Sequence, residues 1–303
     1  KKEGNIITKF FTCDIDFYKT IVLVALVLVT YFTGLLEMNY QANQFLENSA
    51  SAISFPITYH FVFVALLLFF VEKLKNSNIE KVVLLISCIS IFLFIGNFYE
   101  LPSKEIVQNI VLSIDSKYAF YFHYIILGCL GYFGFQLFTK ISTVFNIKTT
   151  QSKWLPWLFV FAVVYTLSNE VMVHGLYFSD ISATLLEAET LDPEYLKYNL
   201  IETKINEIKT QIIKIGYPIL WGIFAFVFLI IGIKKQWKIL RIIALSLLGI
   251  TIVKLFVYDI KNVSETGKII AFILLGVLIL IISFVYQKIK KLVNDETSEN
   301  EKI

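Results

Sequence analysis

The chain has 303 residues, 57% of them hydrophobic and 17% charged, with a mean hydropathy of +0.71. A water-soluble core cannot hide that much apolar surface, so the bilayer must act as solvent. The net charge of +3 is small and the basic residues sit at the ends of apolar runs, which excludes nucleic-acid binding as a main role and makes lysine a topology signal.

Hydrocarbon about 30 Å thick needs roughly 20 apolar residues per helical span. Eight runs qualify: 17–36, 55–71, 82–99, 118–138, 155–173, 213–233, 239–258 and 268–286. They predict an all-α, polytopic transmembrane bundle forming one domain over 1–303. The first run is followed by Glu37-Met38-Asn39-Tyr40 rather than a small-residue cleavage site, so it reads as a retained helix and not a signal peptide. The chain opens Lys1-Lys2-Glu3 without an initiator methionine, as a processed product or the C-terminal piece of a longer protein would. In the fourth run, Gly128, Gly131 and Gly134 make a small-residue ridge suited to close helix packing.

Ahead of the sixth run, Leu191-Asp192-Pro193 reads as an N-cap followed by a first-turn proline. After it, Leu196, Leu200, Ile201, Ile205, Ile208 and Ile212 recur at helical spacing. The segment 191–212 is therefore expected as an amphipathic helix that either lies on the outer membrane surface or continues into the sixth span. Pro56 and Pro218 fall at outer ends of runs, which counts against a transporter with helices broken at the midplane. Three tyrosine-and-acid ends, Phe98-Tyr99-Glu100, Tyr177-Phe178-Ser179-Asp180 and Val257-Tyr258-Asp259, form a faint internal echo at about 80-residue spacing.

Lysines at 73–81, 140–153, 234–241 and 288–291 fall on one alternating set of connections, together with those of the N-terminal segment. The segment 37–54 on the opposite side has no lysine or arginine. The positive-inside rule then places both termini in the cytoplasm. Trp154, Trp157 and Trp237 flank cytoplasmic helix ends, where indoles favour the headgroup layer. Cys13, Cys88 and Cys129 offer neither a disulfide framework nor zinc spacing and read as packing residues.

An ionisable side chain within a span costs on the order of 2.5–3.5 kcal/mol at the helix centre, so it needs a partner or a polar cavity. On this topology His60, His123, Glu170, His174, Lys254 and Asp259 all fall towards the extracytoplasmic side and are the candidate lining of an outward-facing polar cavity. Glu170 and His174, four residues apart, share a helix face and suit proton exchange or a cation. Lys254 and Asp259 differ by about 140° around a helix, so Lys254 is expected to meet a carboxylate of another span, Glu170 by depth. No metal-ligand spacing is present, and no metal or cofactor is read from the sequence. Nucleophile-elbow, zincin, Walker and dinucleotide motifs are likewise missing.

Tyr217-Pro218, Gly232, the stretch Lys254-Leu255-Phe256-Val257-Tyr258-Asp259, Gly276 and Ser283-Phe284-Val285-Tyr286 resemble the C-terminal part of a bacterial multi-pass membrane family, domain of unknown function 2339. Ser168-Asn169-Glu170 fits the same pattern. The resemblance implies a bacterial inner-membrane protein, with relatives usually longer and richer in spans, and supplies no established activity. It also implies an inward-facing Lys254. The lipid bilayer is one expected partner, and other membrane proteins or a missing N-terminal region are others.

Three roles compete at this level. The first is binding or transport of a small polar solute, an ion or a lipid headgroup through the polar cavity. A membrane-embedded enzyme acting on envelope lipids or glycans, with Glu170 or a histidine as general base, is the second. The third is a structural subunit of a membrane complex.

Overall fold

The structure is a computed structural model that describes residues 15–74, 77–144, 154–179, 182–189 and 194–255, with scattered positions between 258 and 287. Its helices are α1 (Ile15–Phe45), α2 (Ser49–Leu74), α3 (Ser77–Leu93), α4 (Leu101–Leu112), α5 (Tyr118–Val144), α6 (Leu155–Tyr177), α7 (Ser182–Glu189), α8 (Glu194–Gln211), α9 (Tyr217–Lys234) and α10 (Lys238–Lys254). No strand occurs among the described residues. Among the described residues six helical stretches are long and apolar enough to cross a membrane, and α10, with 17 residues, is the next apolar helix in line. The all-α, many-span architecture is thus the one the hydropathy pattern predicts. The eighth expected run, 268–286, the Leu191-Asp192-Pro193 cap and Asp259 lie outside the described residues or mostly so.

Two apolar cores organise the bundle. Phe61, Val64 and Leu68 of α2 pack with Val83 and Leu84 of α3 and with Ile126 and Phe133 of α5. Val160 and Val164 of α6 pack with Leu240 and Ile243 of α10, and Ala225 and Leu229 of α9 pack with Ala244 and Leu248 of α10. Helix α1 lies along α2, where Gly34 leaves room for the Tyr59 ring. Gly232 lets the α9–α10 hairpin close, because a Cβ there would sit 2.8 Å from Arg241 Cγ and 3.0 Å from the Arg241 nitrogen.

At one end the two cores share a cap. Ile106 and Ile110 of α4, Met172 and Leu176 of α6, Leu185 and Ala188 of α7, and Ile201 and Ile205 of α8 form one cluster. Of the two placements open for the amphipathic segment, the structure takes continuation: α8 runs through a π turn, Ile212–Gly216, directly into α9. At the other end Lys140 of α5 holds Glu80 of α3 at 2.8 Å.

The glycine ridge behaves differently from expectation. A Cβ on Gly128 or Gly131 would meet nothing within 4 Å, and one on Gly134 would touch only the Phe159 ring, at 3.7 Å. The ridge does not draw α5 and α6 together, because large side chains on these helices meet first. Phe120 stacks on Tyr177 with centroids 4.3 Å apart, and Phe138 lies 5.9 Å from Phe159.

A candidate cation centre between two helices

Helix α5 begins on a buried acid. Glu105, 0% exposed on α4, accepts from the Ala119 N–H at 2.8 Å, the Phe120 N–H at 2.7 Å and the Ser51 hydroxyl. The first N–H groups of a helix lack intrahelical partners and carry partial positive charge, so a carboxylate there completes both hydrogen bonding and charge. Beside it Asn48 Nδ2 donates to Asn109 Oδ1 at 2.9 Å, the Ser51 N–H donates to Asn48 Oδ1 at 3.0 Å, and the Ala50 N–H donates to Gln108 Oε1 at 3.1 Å, capping α2 in turn. The segment 100–117 falls between the third and fourth apolar runs, where hydropathy alone marks no helix. The available signal was Pro102 in a first turn followed by Glu105, Gln108 and Asn109 on one helix face.

With the start of α5 so fixed, His123 faces α6 one turn along. Its Nε2–H donates to Glu170 Oε2 at 3.2 Å, and His123 is only 3% exposed. Glu170, 14% exposed, also lies 3.7 Å from Nδ1 of His174, one turn further along α6. The His174 Nδ1–H donates to the Glu170 backbone oxygen at 2.8 Å, and the Tyr124 hydroxyl donates to His174 Nε2 at 2.7 Å. Phe120 faces both imidazoles, with centroids 5.4 Å from His123 and 5.9 Å from His174. Two polar atoms of the centre, Glu170 Oε1 and His123 Nδ1, are buried with no hydrogen-bond partner among the described residues. An unmet buried polar atom costs about 1–3 kcal/mol, so this arrangement is suited to receiving something.

The other expected cavity residues go elsewhere. His60 bridges Tyr31 Oη and Ser90 Oγ at 2.9 Å each, fastening α1, α2 and α3 with both ring nitrogens engaged. Asp259 lies outside the described residues. Lys254 donates to the backbone oxygen of Ile213 at 2.9 Å, whereas the side-chain contacts of Glu170 run to the two histidines. The expected Lys254–Glu170 pair is replaced for a backbone reason. In the π turn the Tyr217 N–H bonds to Ile212, so the next donor due, for Ile213, is residue 218, which is a proline without an N–H. The lysine ammonium supplies the missing donor and lies 5.9 Å from the Trp221 ring centroid.

The triplet beside the centre is used in full. Ser168 Oγ accepts from the Trp221 indole at 2.9 Å, Asn169 Nδ2 donates to the Tyr99 backbone oxygen at 2.7 Å, and Glu170 enters the centre. The ends that form the internal echo have dissimilar surroundings: Tyr99 packs on Tyr165, whereas Tyr177 stacks on Phe120.

No curated protein and no solved structure matches the chain. The many-span helical bundle and the Pro218–Lys254 and Ser168–Glu170 elements accord with a family match over residues 8–289, and the chain belongs to the predicted membrane proteins of domain of unknown function 2339.

Proposed function

We propose that this chain is a binding or transport protein of the bacterial inner membrane that takes a small cation, the proton included, at His123, Glu170 and His174. The observation that carries this reading is the Glu170 carboxylate, held between two imidazoles with its second oxygen buried and lacking a donor among the described residues. An anionic group so placed in an apolar wall attracts positive charge. A scaffold gains nothing from such a group. Lys73, Lys81, Lys140, Lys234 and Lys235 lie at or near the helix ends opposite the centre, so the positive-inside rule puts the centre towards the extracytoplasmic face.

The test is thermal unfolding of the protein in lipid nanodiscs, against a panel of inorganic and organic cations and across about pH 5 to 8, where imidazoles titrate. At least one cation, or protonation, is expected to raise the unfolding temperature of the wild type in a concentration-dependent way. Glu170→Gln should remove that response. Identical responses of wild type and variant under all conditions overturn the reading.

A further inference from the structure

We propose that the cation taken at this centre is a divalent transition metal of the zinc class, bound by His123 Nε2, the Glu170 carboxylate and His174 Nδ1. The inference rests on the cation-binding reading above and names its ligand. One ligand atom from each of the three residues falls within 4.8 Å of the others, and two separations are already 3.2 and 3.7 Å. A tetrahedral zinc ion with ligands at about 2.0–2.2 Å spaces them by roughly 3.3 Å, so closure requires the His174 ring to turn its Nδ1 from the Glu170 backbone oxygen towards the other two ligand atoms.

The donor set selects the metal. Two imidazoles and one carboxylate suit zinc and its neighbours, whereas magnesium and calcium take oxygen ligands. Metal binding at His174 Nδ1 moves the ring proton to Nε2, and Tyr124 Oη, 2.7 Å away, becomes its acceptor. That hydrogen bond is the outer-shell contact that fixes the tautomer of a metal-bound histidine.

The experiment is equilibrium dialysis of the nanodisc protein against zinc alone, followed by elemental analysis, with cobalt substitution read by visible absorption. One ion per chain is expected, with the intense bands of a low-coordinate cobalt site. His123→Gln, His174→Gln and Glu170→Gln should each weaken binding at least tenfold, and His60→Gln, outside the centre, should not. Absence of stoichiometric zinc, or zinc retained equally by all three variants, overturns the proposal. If zinc fails to bind while Glu170→Gln still abolishes stabilisation by protons or another cation, only the metal assignment falls. If nothing binds and nothing depends on Glu170, both readings fall.

Discussion

Glu105 shows what one residue can contribute in a bundle whose apolar surface faces lipid on one side and other helices on the other. Its two carboxylate oxygens accept from two backbone N–H groups and the Ser51 hydroxyl, all in a buried site. Without it the first turn of α5 would present bare donors to an apolar layer, and His123, one turn along, would lose its fixed approach to Glu170. Replacing the acid by Glu105→Gln removes the negative charge and turns an amide NH₂ towards a donor. The expected loss is about 2–3 kcal/mol, read as a lower unfolding temperature in nanodiscs. Ser51→Ala removes one of the three donors and the Ser116 contact at 2.6 Å, and should cost about 1–2 kcal/mol. A Glu105→Gln protein as stable as the wild type would show that the carboxylate is not the cap that sets α5.

At the scale of elements, the π turn at Ile212–Gly216 explains what the sequence left obscure. The helical pattern of isoleucines in 191–212 correctly marks a buried face, because Ile201 and Ile205 are 2% and 3% exposed. A lysine inside the seventh run was likewise legible as a group needing a partner. The identity of that partner was not, since a helical wheel gives the side on which Lys254 lies but not which carbonyl a neighbouring helix leaves free. Pro218 and the π turn before it free the Ile213 oxygen, and Lys254 takes it. The two residues should therefore be coupled. Lys254→Met is expected to cost about 1–3 kcal/mol by orphaning the carbonyl. In a Pro218→Ala background the backbone regains an N–H, and the same substitution should cost less. A double-mutant cycle on unfolding free energy checks this, with coupling of about 0.5–3 kcal/mol expected. Strict additivity would mean that Lys254 serves some other group.

Among the described residues two three-helix cores, with α1 along α2, meet through side chains of α5 and α6 and are capped at one end by α4, α7 and α8. The bilayer made the fold class readable, because it enforces long apolar runs that the eye can count. The seam was not readable: which spans become neighbours is decided by packing between distant residues, and His123 and Glu170 are 47 positions apart. Charge gives the one global property still open to direct test, the direction in which the capped end faces. At that end three lysines are matched by acids, Lys104 on Glu100 at 3.2 Å, Lys117 on Asp115 at 3.1 Å and Lys204 on Glu207 at 3.3 Å. At the other end Lys234, Lys235, Lys238 and Arg241 crowd one short hairpin turn. An unbalanced basic cluster beside spans is held on the cytoplasmic side. In a protein with its native cysteines replaced, a single cysteine at Asp115 should react with a membrane-impermeant maleimide on intact spheroplasts. One at Lys235 should react only after the membrane is opened. The reverse pattern would turn the His123–Glu170–His174 centre to the cytoplasm, so that its cation would be drawn from inside the cell. Equal labelling of both positions on intact spheroplasts would place the two ends on one side, which the alternating spans forbid.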